Sequence, residues 1–281
     1  MLRYDPVSYA PAGNMRCLGT CFACSYVAIV LSLSGCQRRT GEALEELSDR
    51  RYPVDSASPT ISVTNRDGAI SVYAGSEDVR EVRVETLKKA YTAERLKTIS
   101  TRVTPDKNSI SIETIYPTPS GGTFSDRSGT VDYVITVPQN ATIAKLDLTN
   151  GEVLIEGVRS KESHAQLGSG RLFVHNCFGS VDAHVKTGNL ALVYEWWEEQ
   201  SDFVIRAGVE DGNAFAYLPK DATFHLVANT GTGKIANDFG PKEQRRAEMT
   251  NHLDLRIGGA ERPRIEMEAQ DGNVRIAEHN P

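Results

Sequence analysis

The amino-acid sequence predicts an all-β protein, a right-handed β-solenoid of roughly 20-residue coils with one short helix near its N-terminal part. Three observations lead there. Beyond about residue 60, apolar and polar residues alternate with period two, as in strands that bury one face. A glycine-centred tetrapeptide recurs along this stretch. The residues at fixed distances from that glycine are apolar in copy after copy, so the copies share a register.

The copies are Asp67-Gly68-Ala69-Ile70, Asn150-Gly151-Glu152-Val153, Ser169-Gly170-Arg171-Leu172, Thr187-Gly188-Asn189-Leu190, Asp211-Gly212-Asn213-Ala214, Thr232-Gly233-Lys234-Ile235 and Asp271-Gly272-Asn273-Val274. Three residues before the glycine stand Leu148, Leu167, Val185 and Val209. Five before it stand Leu146, Ala165, Ala183 and Ala207, and four after it Ile155, Val174, Leu192 and Ala216. Glycine recurs because a turn with positive φ costs least without a Cβ, and the Asn, Asp, Ser and Thr beside it favour turns. One copy is too small to bury its apolar face, so copies stack and share a core. Right-handedness follows the general rule for strand crossovers. A β-sandwich of hairpins is the alternative, since glycine turns also join antiparallel strands.

Helical periodicity occurs once, at about Ala93 to Ile99, where Leu96 and Ile99 share a face. An open solenoid end exposes unpaired strand edges and needs a cap. The segment from about Thr86 to Asp126 is the candidate.

The N-terminal region reads as a targeting signal. Arg3 and Arg16 precede an uncharged apolar run from Cys17 to Leu33, which ends in Leu33-Ser34-Gly35-Cys36 and then polar Gln37-Arg38-Arg39. A basic start, a short apolar core and small residues before a cleavage point mark a secretory signal. About seventeen residues is marginal for crossing a bilayer core of roughly 30 Å. The ending resembles the bacterial lipobox, formed here by Leu33, Ser34, Gly35 and Cys36. That resemblance implies lipid on the Cys36 thiol, removal of residues 1–35 and acylation of the freed amine. Gln37 in the next position implies transfer to an outer membrane. Met15 would make a more ordinary start than Met1. The expected organisation is a signal peptide at 1–35, a lipidated cysteine and flexible tether at 36–59, and a β-strand-repeat domain at 60–281.

The chain of 281 residues carries a formal charge of -6, which argues against nucleic acid, whose phosphates demand a basic surface. Of five cysteines, three leave with the signal and Cys36 takes lipid. Cys177 is left alone, seven residues past its coil glycine, and is expected to be a buried apolar residue.

With the repeats in view, the chain resembles the bacterial putative-adhesin family of β-strand-repeat domains. The resemblance spans about Ile61 to Ile276. It rests on Ile61 to Val72, on Val134-Ile135-Thr136-Val137-Pro138, on Ala228 to Ile235 followed by Asp238-Phe239, and on Gln270 to Ile276. It implies architecture and an adhesive role, and it brings no catalytic residues.

Several residues could carry chemistry. Trp196-Trp197-Glu198-Glu199 falls in the longest repeat and is expected in a loop leaving the coil. There the two rings either stack on a sugar or fold back over the solenoid flank. His164, His175 and His184 look like a metal set until the register separates them into different columns, so no metal and no cofactor is expected. Asp147, Asp182, Lys186 and Arg206 project outward from successive coils, as acid and base groups of a polysaccharide-cleaving enzyme or as plain solvated charges. Lys88, Lys89, Arg95 and Lys97 cluster about the helix, facing either anionic lipid or water.

No nucleophile–base pair, metal spacing or phosphate loop stands out. The expected function is that of a non-catalytic, envelope-anchored surface for adhesion or envelope organisation, in periplasm or on the cell surface. Its expected partners are the membrane, through the N-terminal lipid, and a glycan or envelope protein. The alternative is a carbohydrate-active protein, either a glycan-binding module or an enzyme resembling a polysaccharide lyase or hydrolase.

Overall fold

The computed structural model describes residues 42–76, 78–117, 128–198, 201–241 and 251–279. The residues on which a signal peptide and lipobox are expected, Cys36 included, lie outside the described residues. From Gly41 onward the chain forms one compact unit. Its elements are β1 (Leu44–Pro53), β2 (Thr60–Ala74), β3 (Glu81–Ala90), α1 (Ala93–Thr98), β4 (Ser100–Asp106), β5 (Ser109–Ile115), β6 (Thr130–Val137), β7 (Thr142–Glu156), β8 (Ser163–His175), β9 (Val181–Val193), β10 (Val204–Pro219), β11 (Phe224–Thr230), β12 (Ile235–Asn237), β13 (His252–Ile257), β14 (Arg264–Asp271) and β15 (Val274–His279).

The long strands β2, β7, β8, β9 and β10 pair in parallel, each with the next, and each bends midway at its repeat glycine. Parallel pairing is the mark of a stacked coil, and it excludes a body of hairpins, which would be antiparallel. Two further coils are split at the corner. β14 and β15 lie parallel to the two halves of β10, and β11 and β12 lie parallel to β14 and β15. Among the described residues antiparallel pairs occur only toward the ends: β3 with β6, β1 with β3, β4 with β5 and β11 with β13.

The repeat glycines form the corner of the stack. Six of them, from Gly68 to Gly212 and Gly272, have φ between +132° and +154°. A Cβ on Gly151 would lie 1.7 Å from the Gly68 carbonyl oxygen, and one on Gly272 would lie 1.6 Å from that of Gly212. Gly233 follows at 1.8 Å from Gly272. Backbones approach too closely at this corner for any side chain, so the turn requires glycine twice over.

The expected inward columns are observed. Leu146, Ala165, Ala183, Ala207 and Met267 are in register, as are Leu148, Leu167, Val185, Val209 and Ala269, and Ile155, Val174, Leu192, Ala216 and Ile276. All are buried in a single continuous core. Fully burying one such branched side chain contributes about 1.5–3 kcal/mol, so repetition of the column supplies the stability that one coil lacks.

Two expectations change. The stretch read as a tether contributes a strand, for β1 pairs with all of β3. It escaped the period-two reading because it lies at the edge of the stack. Its core-side positions Glu46, Ser48 and Arg50, opposite Lys88, Thr86 and Val84, look onto the end of the core. Ion pairs from Arg83 to Asp49 at 2.7 Å and from Lys88 to Glu46 at 2.7 Å reinforce it. The second change concerns α1. Thr92 caps it, and Ile99 at its C-cap is buried as expected, but Arg95 is buried as well. Its guanidinium donates to the carbonyl oxygens of Ser128 at 2.7 Å and Pro117 at 3.1 Å. Arg95 therefore ties a loop to the helix and is no surface cation. The expected cap supplies β3, α1, β4 and β5 at this end, while residues 118–126 lie outside the described residues.

Candidate binding surfaces

Beyond the second half of each coil the chain turns back to begin the next. Gly157 at φ +73° and Asn176 at φ +49° occupy successive turns. The Asn176 side-chain oxygen accepts from the Glu195 backbone N–H at 2.9 Å. Along this closing side lies an aromatic cluster. Tyr194 is fully buried, stacks on Phe203 with centroids 6.4 Å apart, and donates its hydroxyl proton to the Cys177 carbonyl at 2.6 Å. Burial raises its pKa. Cys177 is fully buried beside it, and desolvation pushes its thiol up to about 12, so it is the inert packing residue the repeat position implied.

The two tryptophans part company here. Trp197 turns inward, meeting Tyr194 at 5.3 Å, Phe203 at 5.9 Å and Phe224 at 6.0 Å, and its Nε1 donates to the Thr223 carbonyl at 3.0 Å. It covers the coil flank. Trp196 stays 48% exposed, tilted over Phe178 at 5.7 Å. The Arg159 guanidinium also lies over Phe178, 5.1 Å from its centroid, and Arg159 pairs with Glu198. One tryptophan thus remains as a surface platform.

A second surface lies on the outer side of the coils' first halves. One outward column runs Asp147, Gln166, His184, Gly208, Glu268, Asn229. Its neighbour runs His164, Asp182, Arg206, Glu266, Val227. Every strand here presents a side chain except at Gly208, and the gap opens a groove of about 320 Å³. Arg206 Nε and Arg264 Nε both reach the Glu266 carboxylate, at 3.2 and 2.6 Å. His184 Nε2 contacts Glu210 at 3.1 Å. The Glu268 carboxylate is exposed and makes no hydrogen bond or ion pair among the described residues. The groove thus offers a free acceptor at Glu268, and Asp182 with its carboxylate 3.9 Å from His164 Nδ1, beside immobilised guanidinium donors.

Of the outward charges anticipated from sequence, the fold brings Asp182 and Arg206 together in this groove. Asp147 lies on a strand farther along and pairs with Lys145 at 3.3 Å. Lys186 is exposed elsewhere on β9. The histidines stay apart: His164 meets Glu162, His175 lies between Glu156 and Glu195, and only His184 enters the groove. Among the described residues no group of three or more His, Cys, Asp or Glu could hold a metal ion. Nor is any helix there long and apolar enough to cross a membrane. Sequence reasoning missed Gly208, Glu268 and Arg264. Gly208 is the one signal that was available, a glycine at an outward strand position where none of the stacked copies has one.

These features define a stacked-coil β domain that presents a rigid polar outer face. The chain belongs to the Toastrack DUF4097 family, whose model matches residues 50–277, taking in the repeats on which the adhesin resemblance rested. No curated protein sequence is significantly similar to it. Similar solved structures include a putative cell adhesion protein from Clostridium sporogenes, at 15% identity over 84% of this chain and 100% of that one, with a TM-score of 0.48. Another is a putative adhesin from Bacteroides fragilis, at 12% identity over 82% and 97%, TM-score 0.31. A third is a putative adhesin from Parabacteroides merdae, at 9% identity over 83% and 97%, TM-score 0.20. The fold described above rests on strand register and not on these likenesses.

Proposed function

We propose that this is an exported protein anchored by lipid on Cys36, whose Toastrack domain is a non-catalytic binding surface for adhesion or envelope organisation. The observation that carries the binding role is the groove at Gly208. Its walls are strands fixed in a shared core, so little ordering entropy is lost when a partner settles there. Its polar groups suit a hydroxyl-rich or amide-rich partner, such as an envelope glycan or a peptide strand. Support for the anchor comes from Leu33-Ser34-Gly35-Cys36 closing an apolar run, and Gln37 favours an outer membrane.

The test is made on cells that produce the wild type, Cys36→Ala or Gly208→Thr, the last of which fills the groove. Cys36→Ala is expected to leave the membrane fraction. Gly208→Thr should stay there but lose retention of envelope glycan or protein, and protease added to intact cells shows whether the domain faces outward. Unchanged retention by Gly208→Thr sinks the groove as the binding site. A second reading is favoured by one observation, the exposed Trp196 ring. If Trp196→Ala, and not Gly208→Thr, abolishes binding on a glycan array, the loop is the site.

A further inference from the structure

Strand β1 ends the 15-stranded sheet. Among the described residues it pairs with β3 alone, and no strand lies along its other side. Three further strands there have a partner on one side only, β4, β12 and β13, of seven, three and six residues. β1 has ten, running Leu-Glu-Glu-Leu-Ser-Asp-Arg-Arg-Tyr-Pro. An edge of that length is a template for another strand unless something blunts it. Its single proline is the last residue, Pro53, and it contains neither glycine nor lysine.

The charges of β1 are sorted by sign. Glu45 and Glu46 precede the middle of the strand, and Arg50 and Arg51 follow it. Contacts within the chain explain two of the four: Glu46 pairs with Lys88 at 2.7 Å and Arg51 with Glu81 at 3.2 Å. Glu45 and Arg50 are exposed and make no ion pair among the described residues. Glu45 stands opposite Lys89, which turns instead to Asp132 at 3.1 Å, and Arg50 stands opposite Val84. A strand whose two halves carry opposite charge is complementary to itself run backwards.

We infer that β1 pairs with β1 of a second copy of this chain, antiparallel about a two-fold axis at Ser48, so that two sheets join into one. Directly opposite side chains of an antiparallel pair share a face, so core-side residues must meet core-side residues. With the axis at Ser48, Glu46 meets Arg50 of the second copy on the core side, and Glu45 meets Arg51 on the outward side. Symmetry makes each contact twice. Leu44 meets Tyr52, and the two copies of Leu47, 71% exposed in the single chain, become diagonal neighbours about 7–8 Å apart. Moving the axis to Leu47 would set Glu45 against Asp49, and moving it to Asp49 would set that carboxylate against itself. Like charges directly opposite destabilise a pair, so the register at Ser48 is selected. Charges on the core side, such as Glu46 and Arg50, deter a foreign strand, and the chain's own copy neutralises both. The contact is isologous and closes at two copies. It rests on neither the groove nor the Cys36 anchor.

The test is sedimentation equilibrium of the chain from Gln37 to Pro281, which holds the whole compact unit from Gly41, over a series of concentrations. The wild type is expected to rise from the monomer mass to twice that mass and no further, and the dimer should weaken with salt. Glu45→Arg/Glu46→Arg and Arg50→Glu/Arg51→Glu each turn the attractions into repulsions. Each alone should self-associate at least about tenfold more weakly. An equal mixture of the two should regain the dimer, because every contact is again between opposite charges. Ser48→Cys should cross-link to its own copy under mild oxidation, and Arg51→Cys, far from the axis, should not; Cys177 is buried and takes no part. In dilute solution β1 is an edge strand whose amides exchange early, and that exchange should slow as the dimer fills. A chain that is monomeric at every concentration overturns the proposal, as does a dimer that survives either reversal. Reversed chains that stay monomeric when mixed also overturn it. Masses beyond the dimer overturn it by assigning β1 to the β13 edge of a further copy in an open array. If a reversal unfolds the chain, the cross-link decides, and equal yields from Ser48→Cys and Arg51→Cys, or none from either, sink the two-fold pairing.

Discussion

Gly188 turns its coil at φ +136°, and a Cβ built there would lie 2.0 Å from the Gly170 carbonyl oxygen. Gly208, twenty residues on, has ordinary strand geometry, and its Cβ would meet the His184 ring at 3.0 Å. The two glycines should therefore answer substitution in opposite ways. Gly188→Ala must adopt a disfavoured φ and also push two backbones apart, so the expected loss is about 4 kcal/mol or more, or roughly 10 °C in Tm for a domain of this size. Gly208→Thr asks only for a swing of an exposed imidazole and relieves a strand of a glycine. Its Tm should hold or rise by about 1–4 °C. Thermal unfolding followed by circular dichroism distinguishes the cases, and equal losses would refute the close-packed corner. The corner was legible in the sequence because a backbone requirement leaves a residue-type signature at a fixed place in every copy. The tryptophan pair was not: adjacent residues of identical type differ only in which one finds Thr223 and Phe224 to pack against, and both are remote in sequence.

The two outermost strands of the sheet, β1 and β13, are each pinned by a carboxylate. Asp49 on β1 takes both guanidinium hydrogen bonds from Arg83 on β3, at 3.0 and 2.7 Å, and these hold its pKa below the ordinary carboxylate value. Asp254 on β13 is 3.0 Å from Nε2 of buried His225 on β11, and that hydrogen bond lowers its pKa likewise. A carboxylate whose pKa is lower folded than unfolded stabilises the fold fully above its unfolded value. That contribution disappears as pH falls through the folded value. Both ends of the stack should therefore loosen in acid below about pH 4. The expected effect is small, since both groups are largely in water. Asp49→Asn/Asp254→Asn should melt lower than wild type near neutrality, and the gap should close toward about pH 2; a gap that persists there would mean that the pairs contribute through packing alone. Strand β1 also marks the limit of the sequence reading. Period-two alternation reports a strand only where one side meets the core, and Glu46, Ser48 and Arg50 sit where the core runs out.

For the whole molecule the order of the coils matters more than their number. Register showed from sequence that the copies stack, but identical inward columns do not say which copy neighbours which. In the structure the C-terminal strands β14 and β15 lie between β10 and the β11–β12 coil, so the last coil in sequence is interior in space. The column of glycines records the same order, running Gly212, Gly272, Gly233. In a simple linear array the last repeat has one neighbour and frays first, because stability is shared between adjacent repeats. Here β14 is hydrogen-bonded on both sides, and its core residues Ile265, Met267 and Ala269 are as buried as those of β8 and β9. Hydrogen exchange read by mass spectrometry should therefore find the amides of Ile265 to Ala269 protected to the level of β8 and β9, opening only with global unfolding. The edge strands β1 and β13 should exchange by local opening well before that. If Arg264–Asp271 exchanges early, with the edges, the C-terminal coil is terminal in space as in sequence and the observed strand order is wrong. If β11–β13 proves as protected as β14, the edge is guarded by more than its pairing with β11.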